Sequence, residues 1–328
     1  MTTAGAVWSR PASPVTARAI EFVASRRAAA EGLGTDLAEL VNDPEAFVEA
    51  LRAGFVSLAD REYQVGQHAV APGLGSTYGV RNPLLTTMSR AFRAATRQDR
   101  PTTLLYLADR LFREEHLEAR WFAFLLLGRT LPSDPERTWQ LLRRAAREAA
   151  DWITVDSLAH PYGRGILAEP YRWAELEQLV FSPSPWERRL VASTIATAPF
   201  EDRSRGKTPG YVETSLPILG QLMGDAEPDV QKALAWAYRT VAGIDRAATT
   251  AALTAEVDLA VAEDDGHRAW VVRNSLTKLD RPAADRLRAL VRGIRRRAGS
   301  PSTSPAALAA ARFAGLPDPR RHPEPPLG

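Results

Sequence analysis

A short segment in the middle of the chain combines an aromatic residue with carboxylates at helical spacing. It reads Asp151-Trp152-Ile153-Thr154-Val155-Asp156. Positions i and i+4 of a helix share one face, so Trp152 and Asp156 are predicted to point the same way. A carboxylate beside an aromatic wall suits a reaction in which positive charge develops on the substrate. The alternative is an ordinary amphipathic helix with a buried Trp and a solvated Asp.

Segments of similar character recur along the chain. Each combines charged and aliphatic residues at helical spacing, and the five segments begin at Leu117, Asp151, Trp186, Val230 and His267. Their starts are separated by 34, 35, 44 and 37 residues. Helix-pair repeats of the HEAT and armadillo kind have periods of about 40 to 47 residues, and related helical repeats are shorter. The spacing therefore predicts an α-solenoid of HEAT-like repeats.

Such a stack of helices would gather distant residues into one groove. Solenoids curve, and the second helix of each pair usually lines the concave face. Residues at equivalent repeat positions then converge, which predicts a basic, aromatic groove built from Trp152, Asp156, Arg188, Arg189, Lys232, Trp236 and Arg273.

Local patterns support an all-α fold. Apolar residues recur at three and four spacing in 44–58, 102–112, 117–127 and 136–149, and no convincing alternating strand appears. Helix-start signals precede Pro44, Pro135, Pro185 and Pro228, where a capping or acidic side chain accompanies the proline. Two regions depart from this pattern, the Gly-rich stretch from Gly66 to Gly79 and a Pro-rich tail. We predict an N-terminal helical cap (1–60), a repeat domain with the catalytic groove (61–298) and a disordered tail (299–328).

Composition limits the kinds of chemistry. The 328 residues include no cysteine, and the five histidines, at positions 68, 116, 160, 267 and 322, form no His-x3-His pair, so no metal site is predicted. Net charge is only +3, and three of the 42 basic residues are lysines, so DNA binding must be argued from where the arginines lie. No apolar run approaches the roughly 18 residues of a membrane span, and we expect a cytoplasmic protein.

Three motifs follow one another in the middle of the chain. They are Trp152-x3-Asp156, then Trp186-x-Arg188-Arg189-x-x-Ala192, and then the run from Val230 to Arg239 that contains Lys232 and Trp236. In order and approximate spacing they resemble the AlkD-type DNA alkylation-repair glycosylases, which are HEAT-like solenoids. The resemblance covers about Leu104 to Leu279, with weaker agreement from Gly79 to Arg90.

The resemblance implies a role for each of these residues. Asp156 would be the catalytic carboxylate, and Trp152 and Trp236 the aromatics that flank it. Arg189 would bind a phosphate next to the lesion, with Arg188 as the alternative register. The implied DNA-binding set also includes basic residues of the later helices, namely Lys232, Arg239 and Arg273.

The chemistry agrees with these residue types. An N-alkylated purine such as 3-methyladenine or 7-methylguanine is cationic, so its glycosidic bond is already weak. A fixed carboxylate stabilises the oxocarbenium-like sugar, and indole faces add cation–π attraction. This chemistry requires no metal or cofactor. The resemblance further implies hydrolysis without base flipping, tolerance of bulky adducts and double-stranded DNA as partner. A solenoid that tracks DNA is expected to act as a monomer.

Several alternatives remain at the level of sequence. A HEAT-like scaffold could bind DNA or a protein and catalyse nothing, although such a scaffold has no need for a carboxylate that repels phosphate. Within the enzyme class, the chain could excise a bulky, DNA-alkylating natural product as self-resistance. The Arg188-Arg189 pair could form a surface face or pair with Glu187 and Glu175. The run from Arg295 to Arg297 could bind phosphate or form a solvated helix end.

Overall fold

The computed structural model describes residues 13–71, 73–201 and 209–312, and these residues form sixteen α-helices. The helices are α1 (Pro14–Glu39), α2 (Pro44–Leu58), α3 (Arg61–Val70), α4 (Asn82–Ala95), α5 (Pro101–Leu111), α6 (Leu117–Thr130), α7 (Pro135–Glu148), α8 (Trp152–Ala168), α9 (Arg172–Val180), α10 (Pro185–Glu201), α11 (Tyr211–Leu222), α12 (Pro228–Ala242), α13 (Arg246–Glu263), α14 (Gly266–Ser275), α15 (Arg281–Leu290) and α16 (Pro305–Ala311). One isolated bridge joins Ala59 and Val80, and the described residues contain no strand. The all-α prediction is confirmed, and this architecture is consistent with an α-solenoid.

Helices begin where the sequence places capping residues before proline. The Asp43 side chain accepts a hydrogen bond from the Ala46 N–H at 3.1 Å, and α2 begins at Pro44. Asp134 caps α7 in the same way, through the Arg137 N–H. Proline suits the first helical position because an N–H there would lack an intrahelical partner.

The chain divides into two compact units, residues 1–126 and residues 127–328. In the N-terminal unit, α1 packs on α4, and α2 packs on both α1 and α5. Three phenylalanine rings meet in its core: the Phe47 and Phe92 centroids lie 5.8 Å apart, and Phe122 lies 5.2 Å from Phe92. The predicted cap region therefore packs, in its described part, within a unit that extends well beyond residue 60.

The Gly-rich stretch is partly helical, which differs from the prediction. Gly66 to Val70 belong to α3, since one glycine costs a helix only about 1 kcal/mol. The loop after α3 is held by the buried carboxylate of Glu118, which accepts hydrogen bonds from the Thr77 hydroxyl and from the N–H groups of Tyr78, Gly79 and Val80. Gly79 adopts φ +78°, a conformation that favours glycine.

Asp60 makes the stability of the N-terminal unit depend on pH. Burial acts to raise its pKa, but hydrogen bonds from Arg81 (2.7 Å) and Arg18 outweigh burial and lower the pKa from 3.8 to about 2. A carboxylate with a depressed folded-state pKa stabilises the fold above its unfolded pKa, and this contribution is lost as the pH falls towards 2. We expect Asp60→Asn to cost about 2 kcal/mol at pH 7 and little near pH 2.

Urea unfolding at the two pH values tests this expectation. Asp36→Asn, which changes an exposed carboxylate on α1, is the matched control. An equal loss at both pH values would contradict the proposed linkage.

The C-terminal unit contains two series of helices. In one, α8 packs on α10, α10 on α12, and α12 on α14; in the other, α9 packs on α11, α11 on α13, and α13 on α15. The two series contact each other through α9 and α10, α11 and α12, and α13 and α14. The helices that carry the three sequence motifs are therefore neighbours.

The predicted disordered tail is ordered in its described part. The Thr303 N–H donates to the Gly224 carbonyl at 2.9 Å, and the Ser304 hydroxyl caps α16 through the Ala307 N–H at 3.0 Å. Ala306 is fully buried, and α16 packs on α11. Alanine packs closely without contributing large apolar side chains, so a low apolar content concealed this helix. Residues 313–328 lie outside the described residues.

Candidate active site

The start of helix α8, close to the candidate carboxylate, is fixed by an N-terminal cap. The buried side chain of Asp151 accepts hydrogen bonds from the Thr154 N–H at 2.8 Å and from the Thr154 hydroxyl at 2.6 Å. Asp151 is therefore a helix cap. Its capping places Trp152 in the first turn and Asp156 one turn later on the same face, and both side chains are half-buried.

Asp156 is held by three hydrogen bonds from α10. Arg189 Nη2 donates to Oδ2 at 2.7 Å, and Arg189 Nε donates to Oδ1 at 3.1 Å. The Ser193 hydroxyl also donates to Oδ1, at 2.7 Å. The Asp156 side chain is 22% exposed, so the carboxylate is fixed in place while one side of it reaches solvent.

Arg189 connects three neighbouring helices. Besides Asp156 on α8, it donates from Nη1 to the Asp229 carbonyl at the start of α12, at 2.6 Å. Its Cζ lies 5.9 Å from the centroid of the Trp152 ring, and its side chain is only 6% exposed. The guanidinium therefore locks the carboxylate and the tryptophan into one cluster.

Arg188 has a different environment from its neighbour. Its Nε donates to Asp225 Oδ2 at 2.7 Å, and its Nη1 donates to the carbonyls of Ser182 and Pro183. Both partners of the ion pair are buried. The alternatives from sequence, a surface face or pairing with Glu187 and Glu175, are wrong, because Arg188 pairs with Asp225 and Arg189 with Asp156.

Helix α12 extends the same face. Lys232 and Trp236 lie four residues apart and so share one side of the helix. The Lys232 side chain is 60% exposed, and its Nζ lies 3.0 Å from Asp229 Oδ1. Since the Asp229 carbonyl accepts from Arg189, Lys232 lies next to the Asp156 cluster. Trp236 is half-buried two turns into α12.

The remaining predicted arginines donate to backbone carbonyls. Arg239 Nη1 donates to the Asn274 carbonyl at 2.6 Å, and burial lowers the pKa of Arg239. Arg273 Nη1 donates to the carbonyls of Val291 and Ile294 at 2.8 and 2.9 Å. Burial lowers the pKa of Arg273, and the charges of nearby arginines lower it further. Neither guanidinium is neutralised by a carboxylate in the part of the chain that the structure describes.

Sequence reasoning missed Ser193 and Asp229. Ser193 lies four residues after Arg189, so the i, i+4 rule places it on the face of α10 that carries Arg189. No local sequence pattern indicates the role of Asp229, because Arg189 donates to its backbone carbonyl rather than to its side chain. Within the described ranges, no three His, Asp or Glu side chains are placed to hold a metal ion, and no helix is long and apolar enough to cross a membrane.

Comparison with known protein families matches residues 51–279 to the DNA alkylation repair enzyme family. The match covers well over half of the chain, and the chain belongs to this family of DNA repair enzymes. The matched region contains every candidate site residue from Trp152 to Arg273 and ends at the residue where the sequence resemblance ends. No curated protein and no solved structure matches the chain. The family resemblance predicted from the three motifs is confirmed, and the family implies DNA as the partner.

Proposed function

We propose that this protein is a DNA glycosylase that removes cationic N-alkylated purines of the 3-methyladenine and 7-methylguanine type, including bulky adducts. The observation that carries the proposal is the Asp156 carboxylate, which Arg189 and Ser193 hold beside Trp152. A fixed carboxylate stabilises a positively charged transition state because it needs no reorganisation as the charge develops.

The reaction is a hydrolysis at the sugar. The C1′–N bond breaks, and its electron pair goes to the purine, whose positive charge is thereby neutralised. The oxygen of a water molecule bonds to C1′, and that water loses a proton to the surrounding solvent. Positive charge moves from the base to the sugar in the transition state, so the negative charge is needed beside the sugar rather than at the base.

The hydrogen bonding of Asp156 leaves room for this water. A carboxylate has about four acceptor positions. Three are occupied, two on Oδ1 by Arg189 and Ser193 and one on Oδ2 by Arg189. The remaining position on Oδ2 accepts a hydrogen bond from the attacking water and orients the oxygen of that water towards C1′. Trp152 and Trp236 supply aromatic faces for the deoxyribose.

The arrangement of the C-terminal unit supports a DNA-binding groove. Helices α8, α10, α12 and α14 pack in sequence, and each of the four contributes a candidate site residue. We propose that these helices line a concave, basic face of a HEAT-like solenoid, which binds duplex DNA as a monomer. The lesion is then recognised through sugar and backbone, without extrusion of the base into a pocket.

Arg189 has a positioning role in this proposal. Its Nε, Nη1 and Nη2 all donate within the protein. We therefore expect Arg189→Ala to slow base release by about 10²-fold, because Asp156 loses its orientation. We expect the double variant Asp156→Asn/Arg189→Ala, which removes both charges of the ion pair, to leave the salt dependence of duplex affinity unchanged. Affinities measured over a salt series, together with single-turnover rates, test both parts. A salt dependence of duplex affinity that is less steep by about 0.9 would instead assign Arg189 the phosphate contact that the family resemblance implies.

The proposed function is tested by release of free base from a duplex that contains 7-methylguanine. We expect release that depends on Asp156 and that persists in Asp258→Asn, which changes an exposed carboxylate on α13. Tight duplex binding without release from either methylated or bulky-adduct DNA would support a non-catalytic scaffold. Release only from the bulky adduct would support a self-resistance glycosylase.

A further inference from the structure

A loop that follows α15 returns to the helices of the candidate site. Residues 291–300 form this segment, which we call the arginine loop. Arg296 Nη1 donates to the Gln231 side-chain oxygen on α12 at 2.7 Å, and the Ser300 carbonyl lies 3.1 Å from His267 Nε2 on α14. A Cβ on Gly266 would lie 2.2 Å from the Arg295 carbonyl oxygen, so only glycine permits this close approach. The loop is therefore packed on the ends of α12 and α14.

Three guanidinium groups gather here without a neutralising carboxylate. Arg273 donates to the carbonyls of residues 291 and 294, Arg295 donates to the carbonyls of residues 292 and 294, and Arg296 donates to a side-chain amide oxygen. None of the three forms an ion pair with any described residue. All their acceptors are neutral, so the cluster retains its full positive charge.

The three guanidinium groups repel one another, and this repulsion affects the pKa of Arg273. After burial, Arg295 and Arg296 are the causes that lower the pKa of Arg273. Like charges are held together by backbone packing, and a bound anion would relieve the repulsion. Arg297 in the same loop differs, because its guanidinium forms an ion pair with Asp264.

Arg296 also lies over an aromatic ring. Its Cζ is 4.7 Å from the centroid of Trp270, which occupies the second turn of α14. Stacking fixes the plane of the guanidinium while its remaining N–H groups stay exposed. Such a planar fork suits two oxygens of one phosphate group. Its other contact, Gln231, is the immediate neighbour of Lys232 in the candidate site.

We infer that Arg273, Arg295 and Arg296 form a second phosphate site, which binds the sugar-phosphate backbone of duplex DNA on the α14 side of the candidate active site. This inference rests on the proposed function only in taking DNA as the partner. The duplex would extend from Asp156 across Lys232 on α12 to the arginine loop. The site binds flanking DNA and contributes no group to the bond-breaking step.

The test measures duplex affinity over a series of salt concentrations. The logarithm of the association constant falls as the logarithm of the salt concentration rises, and each phosphate contact adds about 0.9 to the steepness of this fall. We expect the salt dependence of the double variant Arg295→Ala/Arg296→Ala to be less steep by about 1.8. Arg297→Ala should change the steepness little, because Asp264 already neutralises that charge. Arg296→Gln removes the charge while keeping a donor for Gln231, and we expect its salt dependence to be less steep by about 0.9. This single variant provides the test even if the double variant folds poorly.

Two results would overturn the inference. One is an unchanged slope in Arg296→Gln, and the other is an equal fall in Arg296→Gln and Arg297→Ala, which would indicate a general effect of net charge. Single-turnover base release at saturating protein separates this inference from the proposed function. Loss of salt slope with intact base release supports the phosphate site, whereas absence of base release in every variant leaves the binding result standing.

Discussion

Replacing Asp156 by Asn is expected to slow base release from a 7-methylguanine duplex by about 10²- to 10³-fold without weakening duplex binding. Asparagine has nearly the same shape, and its oxygen still accepts a hydrogen bond from Arg189 or Ser193. What is lost is the negative charge beside the developing oxocarbenium ion. An interaction made mainly in the transition state affects the chemical step rather than binding, so single-turnover rates at saturating protein are the measurement.

The same substitution leaves Arg189 without its counter-charge in a nearly buried position. Thermal unfolding of the variant therefore accompanies the kinetics, so that a folding defect is separated from a chemical one. Asp258→Asn provides the matched control at an exposed carboxylate. Full base release by folded Asp156→Asn would refute the catalytic assignment.

Arg188→Ala is expected to cause the largest loss of stability in the C-terminal unit, about 3–5 kcal/mol. The Asp225 side chain is 1% exposed, and removal of Arg188 leaves its charge buried and uncompensated. The carbonyls of Ser182 and Pro183 lose their donor as well. Such a loss corresponds to a fall in melting temperature on the order of 10 °C.

An exposed ion pair gives the comparison for this second result. Arg288 and Asp285 on α15 are each at least half exposed, and Arg288→Ala is expected to cost less than about 1 kcal/mol. Below its melting temperature, Arg188→Ala should still release base, because Arg188 does not contact Asp156. A melting shift no larger than that of Arg288→Ala would contradict the structural role.

Helix positions could be predicted because their signals are local. The four proline-marked starts, at Pro44, Pro135, Pro185 and Pro228, are the starts of α2, α7, α10 and α12. Capping depends on residues within one turn, which a single sequence displays in full. By contrast, α8 continues through Pro161 to Ala168, although proline normally interrupts a helix. Neighbouring helices surround that position, and their packing is not visible locally.

Side-chain partners were harder to predict than helices. Adjacent helix positions point about 100° apart, so Arg188 and Arg189 must face different neighbours. One reaches Asp225, which is 37 residues away, and the other reaches Asp156, 33 residues away. Which arginine takes which carboxylate depends on how three helices pack. The sequence therefore predicted the pair of arginines as candidates and left their roles undecided.

The ion pair between Asp156 and Arg189 also affects how quickly DNA can arrive. An isolated carboxylate would repel phosphates over roughly 8 Å at physiological ionic strength, and such repulsion slows diffusional encounter. Paired with Arg189, Asp156 presents a dipole, whose potential decays faster with distance than that of a net charge. Approaching DNA is then steered by the unpaired arginines, and the carboxylate acts only on a sugar already in contact. Under the proposed function, the protein keeps a negative charge at its reaction centre without lowering its association rate.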